Sequence, residues 1–180
     1  CEMLTRIDGG PVKEIGDYAF ERSGIIDIYG ILDDGVSLGF GLFAKNETDK
    51  YYEHSFEGNE KQLDIPASAT LTEGTFYGSP INGISLTGSE NANYKLINGS
   101  LYTSDGKTLV AYFPTALNED NEYEKTDEAD ANEFHVPDGV TRIAPYAFFE
   151  CRLDRIYLPS SLTEIADHAF TRSGIAPDIS

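Results

Sequence analysis

The sequence predicts a single α+β repeat solenoid over residues 1–180, a right-handed stack of short strands and short helical turns interrupted by two β inserts. Three observations predict it. Val136, Val140, Ile143, Ala147, Phe148 and Cys151 reappear 22 residues later as Leu158, Leu162, Ile165, Ala169, Phe170 and Ser173. A five-residue step from Ile or Leu to Phe recurs at 15 to 20, 71 to 76, 143 to 148 and 165 to 170. A short run of alternating apolar and polar residues accompanies the step, the pattern of a half-buried strand. A fixed short period means one small unit stacked on copies of itself. Such a unit cannot close its own core, so its stability comes from interfaces between neighbouring copies.

The first copy holds Leu4, Ile7, Val12, Ile15, Ala19, Phe20, Ser23 and Ile25, one residue shorter between strand and turn. A degenerate copy holds Ile65, Ala69, Leu71, Phe76, Ser79, Ile81 and Ile84, with Thr75 where Ala stands elsewhere. The clearest pair is the one at 136–173. In its strand, Ile156 and Leu158 are expected to point inward and Arg155 and Tyr157 outward. Pro159 cannot donate to a ladder and ends the strand. Ile165, Ala169 and Phe170 fall on one face if the turn is helical, leaving Asp167 and His168 to water. The four phenylalanines at 20, 76, 148 and 170 should then form one continuous buried column.

The two inserts are placed at about 31–61 and 87–133. In the first, Val36, Leu38, Phe40 and Leu42 alternate with Ser37, Gly39 and Gly41, and a polar turn at 45–50 leads to 51–56, a predicted β-hairpin. In the second, Asn98-Gly99 is a type I′ turn signal, and Ser104-Asp-Gly-Lys107 turns the chain again. A three-strand meander is expected, followed by an acidic stretch over 118–133.

These residues carry a resemblance. The run L-x-x-I-x-L-P-x-x-[VL]-x-x-I-x-x-x-A-F-x-x-C resembles the BspA-type (treponemal) leucine-rich repeat of bacterial cell-surface proteins. The segment 93–114 is similar to the strand insert that often interrupts such arrays. The likeness covers roughly residues 1–28, 62–114 and 134–180. It departs at 31–61, and at Ser23, Ser79 and Ser173, which stand where the repeat has cysteine. The resemblance implies a leucine-rich-repeat fold, an extracellular or cell-surface location and an adhesion-type role, with no ligand assigned.

Charge narrows the partners. Thirty-one Asp and Glu against 13 Lys and Arg give a formal net charge of −18. Nucleic acid and anionic membranes need clustered cations and are excluded as expected partners. The charge suits a solubilised surface protein, or one that takes basic partners or divalent cations. No apolar run approaches the length of a membrane span, and a monomer is expected. The chain opens inside a repeat, so an upstream signal segment or earlier repeats are expected. Cys1 reads either as a mid-repeat residue or as the lipidated first residue of a lipoprotein. Cys151 is expected to be a buried free thiol, since its repeat equivalents are serines.

Catalytic signatures are missing from the sequence. It contains neither H-E-x-x-H nor C-x-x-C. Leu101 stands where a phosphate loop ending in Gly106-Lys107-Thr108 needs glycine. Gly35-Val-Ser-Leu-Gly39 matches a nucleophile elbow only in letters, because no helix pattern follows it. His54, His135 and His168 fall in separate settings. A non-enzymatic protein is therefore expected, with no cofactor and no metal. Calcium at the 118–133 acidic loop is the one alternative: Asn118, Asp120 and Glu122 alternate suitably. Against it, Tyr123 replaces the loop glycine of a calcium loop and Ala129 its closing carboxylate.

What remains is the outward face of the stacked strands. Aligning the copies puts Asp8, Tyr29, Asp64, Ser85, His135 and Tyr157 in one row. Arg6, Asp27, Gln62, Gly83, Glu133 and Arg155 form the next. Tyr and Arg anchor interfaces, so Tyr29, Asp64, His135, Arg155 and Tyr157 form the expected contact face for an extracellular protein or glycan. The alternative is a structural spacer domain of a larger surface protein or lipoprotein, with no ligand of its own.

Overall fold

A period of 22 residues should bring residues 22 apart into register, and it does. The computed structural model describes residues 7–23, 28, 30–44, 62–79, 81, 83–88, 92–113, 133–151 and 153–173. Its strands are β1 (Val12–Ile15), β2 (Leu32–Leu38), β3 (Gln62–Pro66), β4 (Thr70–Leu71), β5 (Gly83–Thr87) and β6 (Tyr94–Ile97). They continue with β7 (Ser100–Thr103), β8 (Thr108–Ala111), β9 (Glu133–His135), β10 (Arg142–Ile143), β11 (Arg155–Tyr157) and β12 (Glu164–Ile165). Strand β11 lies parallel to β9 with Ile156 beside Phe134, and β12 lies parallel to β10 with Ile165 beside Ile143. Strand β5 also lies parallel to β3, one residue short of that period, with Leu63 beside Ile84.

The α+β expectation needs correction: no helix forms among the described residues. The reason lies in the backbone of each turn. Residues two before and two after each phenylalanine have positive φ: Tyr18 and Arg22 at 54° and 51°, Gly74 and Gly78 at 83° and 64°. The same holds for Tyr146 and Glu150 at 60° and 53°, and for His168 and Arg172 at 63° and 57°. A left-handed residue every fourth position ends a right-handed helix before it can propagate. Successive amides instead alternate in direction. Phe149 and Cys151 N–H donate within the turn to the Tyr146 and Phe148 carbonyls at 3.1 and 3.3 Å. Phe148 and Glu150 N–H donate across to the Ala169 and Thr171 carbonyls at 2.8 and 3.3 Å. Tyr18, Phe20 and Arg22 N–H reach Phe40, Leu42 and Ala44 in the same way at 2.9, 3.0 and 3.2 Å. Each turn is thus a ribbon bonded to the next layer.

That second pairing also corrects the first insert. Strand β2 lies parallel between β1 and β4, with Ile15 beside Leu38 and Leu38 beside Leu71. The alternating residues at 36–42 are therefore a repeat layer, and the hairpin does not form over its described half; residues 45–61 lie outside the described residues. Leu38 is followed by Phe43 at the same five-residue step, and Leu42 and Phe43 are buried. Glycine makes this layer possible. An added Cβ at Gly74 would come within 2.5 Å of the Phe40 ring, and one at Gly41 within 2.8 Å of the Tyr18 ring.

The small residue before each phenylalanine is buried at Thr75, Ala147 and Ala169, where backbones must approach. Thr75 fits because its hydroxyl donates to the Thr72 carbonyl at 2.6 Å, so the polar atom is satisfied. Ala19 is exposed instead. In the last described layer, Ile165 and Leu158, expected inside, are 48% and 47% exposed. Their equivalents Ile143 and Val136 are buried, so the burial of these positions is a property of a covered layer and not of the residue type.

The expected single column of phenylalanines is two stacks in two cores. One core is built around Val36, Leu38, Leu42, Ile65 and Leu101, with Phe20 stacked on Phe43 and Phe76 edge-on to Phe113. The other holds Tyr102, Leu109, Val140, Ile143 and Phe148. There Phe148 stacks on Phe170, centroids 5.0 Å apart and planes at 12°. Between the cores lies the meander: β6 and β7 pair antiparallel around Asn98-Gly99, and β8 returns antiparallel to β7 and parallel to β10. The positive φ of Asn98 and Gly99, 48° and 72°, is that of a type I′ turn. Leu101 joins one core and Tyr102 the other, as side chains of neighbouring strand residues must. Arg142 ties the halves outside: its guanidinium donates to Glu73 at 2.6 Å and to Glu164 at 2.8 Å.

Two outcomes follow for stability. Phe148→Ala should cost about 3–5 kcal/mol, the usual range for a fully buried Phe, read as a drop in urea midpoint at constant slope. Gly74→Ala should cost about 1–3 kcal/mol from the positive φ alone, more with the Phe40 contact, whereas the same change at Gly10, which meets nothing, should leave the midpoint in place.

Candidate functional site: the outward strand face

Side chains two apart on a strand share a face. On β9 and β11 the middle residues, Phe134 and Ile156, turn toward the second core. The flanking residues Glu133, His135, Arg155 and Tyr157 are therefore thrown outward, and all four are exposed. Parallel register then sets His135 against Tyr157 and Glu133 against Arg155. The imidazole and phenol rings stack face to face, centroids 4.1 Å apart and planes at 11°. The Arg155 guanidinium lies 5.8 Å from the Tyr157 ring centroid and donates to its hydroxyl at 3.1 Å. Tyr157 donates to Glu133 at 3.2 Å, and Arg155 reaches the other oxygen of that carboxylate at 3.4 Å. Four side chains thus hold one another in a flat, exposed array.

Of the residues expected at this face, the structure brings His135, Arg155 and Tyr157 together. Asp64 is exposed on β3 beside Ser85, in a separate two-stranded sheet. Tyr29 lies outside the described residues. Glu133 is the member the site prediction left out; the 22-residue register placed it beside Arg155, and its bonds to both partners supply the rest. The array has the chemistry of a contact surface: a stacked ring pair and a guanidinium desolvate at modest cost, and a carboxylate fixes their orientation.

The other sequence candidates fall as follows. Ser37 sits within β2 with no helix after it, so the letters G-x-S-x-G form no elbow. His168 stacks on Tyr146 at 5.4 Å, apart from His135. No cluster of three or more His, Cys, Asp or Glu suited to a metal occurs among the described residues; residues 118–132 of the acidic loop lie outside them, and so do Cys1 and His54. No helix among them is long and apolar enough to cross a membrane.

Cys151 is a free thiol, 5% exposed, and burial pushes its pKa up to about 11. At the equivalent point Ser23 and Ser173 donate to the Phe20 and Phe170 carbonyls at 2.8 Å. At these two partly buried positions serine closes the turn by its own hydrogen bond, while the Ser79 hydroxyl accepts from Ile81 N–H at 3.2 Å. At pH 8 Cys151 should react with a thiol reagent at least about a hundredfold more slowly than free cysteine, and at full speed in denaturant.

The family model described as the BspA type Leucine rich repeat region (6 copies) matches residues 119–179. No curated protein matches the chain. Among solved structures it is similar to a leucine-rich repeat protein from Eubacterium ventriosum, at 25% identity and TM-score 0.61. That match covers 91% of this chain and 37% of the other. It is also similar in fold to the pneumococcal vaccine antigen PcpA, at 17% identity and TM-score 0.55, covering 92% of this chain and 48% of that one. The chain thus spans less than half the length of either relative.

Proposed function

We propose that this chain is a non-enzymatic binding module of a bacterial cell-surface protein, contacting an extracellular protein or glycan through its outward strand face. The single observation that carries the site is the exposed His135–Tyr157 stack with Arg155 beside it. A stacked, pre-oriented tyrosine and arginine lose little side-chain freedom on binding, so more of their contact energy survives as affinity. The BspA-type repeats and the likeness in fold to a pneumococcal antigen support a surface location. The repeat register adds Asp64, exposed on β3, and Tyr29 to the proposed contact face. The charge of −18 steers the module toward neutral or cationic partners.

The test is a screen of the isolated chain against extracellular-matrix proteins and glycans, followed by Tyr157→Ala. Replacement should weaken a confirmed ligand by at least about 1 kcal/mol, roughly fivefold in Kd, with the melting temperature little changed because Tyr157 is 38% exposed. A ligand bound undiminished after His135, Arg155 and Tyr157 are all replaced sinks the assignment, and a screen without any ligand favours a spacer.

A further inference from the structure

The turn side of the stack carries a second surface, made by residues that neither core uses. Tyr18, Phe40, Tyr77, Tyr146, Phe149 and His168 form a seam of rings in unbroken contact across the turns. Tyr18 meets Phe40 at 5.3 Å, Phe40 meets Tyr77 at 5.3 Å and Tyr146 at 5.5 Å, and Tyr146 meets His168 at 5.4 Å. Phe149 packs on Tyr77 at 4.6 Å. None of these rings belongs to either buried cluster. Tyr18 is 44% exposed, His168 is exposed, and the four between them are half-buried. The seam runs from the turn of Phe20, packed on the first core, to the turns of Phe148 and Phe170 in the second, and both of its ends are exposed.

Its border is acidic. The turns that supply the rings also carry Asp17, Glu21, Glu73, Glu150 and Asp167, all exposed, against Arg22 and Arg172. Arg142 reaches in from β10 to pair with Glu73, and Arg172 pairs with Glu150. The phenol of Tyr18 is pushed up by burial first, and then by Tyr77, Glu21, Tyr146 and Asp17, so carboxylates bear directly on this ring. Aromatic faces and edge carboxylates both favour a desolvated guanidinium or ammonium group. Anionic glycans and nucleic acid are repelled by the same field.

We propose that this aromatic seam, running from Tyr18 to His168, is a docking surface for an extended peptide segment rich in arginine or lysine. The surface is distinct from the His135–Tyr157 face and stands without it. Steps of 5.3, 5.5 and 5.4 Å lead from Tyr18 through Phe40 and Tyr146 to His168. About five residues of extended chain, at roughly 3.3 Å each, cover that path. Cationic side chains of the peptide lie over the rings, and the backbone follows the line of the turns.

The test uses the full chain and a labelled synthetic peptide of alternating arginine and glycine, with its glutamine–glycine counterpart, read by fluorescence anisotropy. The arginine peptide should bind and the glutamine peptide should not. Tyr18→Asn combined with Tyr146→Asn should weaken binding at least about fivefold; asparagine is chosen because it tolerates the left-handed backbone at both sites. Glu21→Gln with Asp167→Asn should weaken it and flatten its salt dependence, while Tyr157→Ala should change nothing. Should Tyr146→Asn fail to fold, Tyr18→Asn alone and the carboxylate pair decide. Equal binding of the two peptides overturns the proposal, as does absence of binding, or an affinity that survives loss of the rings. Binding of an uncharged oligosaccharide at the seam in place of the peptide overturns it as well.

Discussion

Alternation of the turn amides, one bonding inside its own layer and the next reaching the layer beyond, is the constraint from which the rest of this structure follows. Bonds such as Phe148 to Ala169 and Phe20 to Leu42 lock neighbouring turns in register. Once register is locked, equivalent side chains must stack, so Phe148 lies on Phe170 and Phe20 on Phe43 with nearly parallel rings. The same alternation requires left-handed residues on both sides of each phenylalanine. Tyr, Arg, Glu and His tolerate that conformation at some cost, and the interlayer bonds and stacking offset it. Two layers use glycine instead, and there a neighbouring aromatic ring fills the space a Cβ would need.

Because each layer leans on the next, the exposed faces inherit the same regularity. Parallel pairing at a 22-residue offset puts Arg155 beside Glu133 and Tyr157 beside His135, turning separate surface residues into one array. On the turn side, rings from successive layers come within contact of one another and span both cores. The meander interrupts the repeat without breaking the stack, since β8 offers β10 the parallel edge that a repeat strand would offer. Its Tyr102, fully buried with the phenol pushed up by desolvation, packs in the second core. An insert has thereby become part of the load path between two halves that also share the Arg142 bridge to Glu73 and Glu164.

Much of this was legible in residue spacing, and particular residues show where legibility stopped. The period from 136 to 173 determined the strand register, the burial of Val140, Ile143, Ala147 and Phe148, and the free thiol of Cys151. Asn98-Gly99 determined the meander, since only that turn type needs two positive φ values in a row. Exposure of His135, Arg155 and Tyr157 also followed from alternation alone. The Leu38-to-Phe43 step was present in the sequence too, but alternating glycines at 39 and 41 imitate a hairpin strand. Glycine supplies both the flexibility of a hairpin and the left-handed turn of a repeat, and spacing does not separate them.

Tertiary structure decided the matters that depend on neighbours. Sequence cannot tell a helical turn from a ribbon of alternating turns when both bring Ile165, Ala169 and Phe170 to one side; the bonds to the adjacent layer choose the ribbon. Burial of Ile165 and Leu158 depends on what covers their layer, not on their hydrophobicity, and division of the phenylalanines into two cores depends on where the meander docks. The aromatic seam joins Tyr18, Tyr146 and His168, which share one repeat position, with Tyr77 and Phe149, which share another, through Phe40; periodicity aligns these residues, but contact between layers far apart in the chain is decided by the fold. What the sequence by itself determined was the repeat and which side chains face out; which of them meet was decided by how far apart in the chain the stacked layers lie.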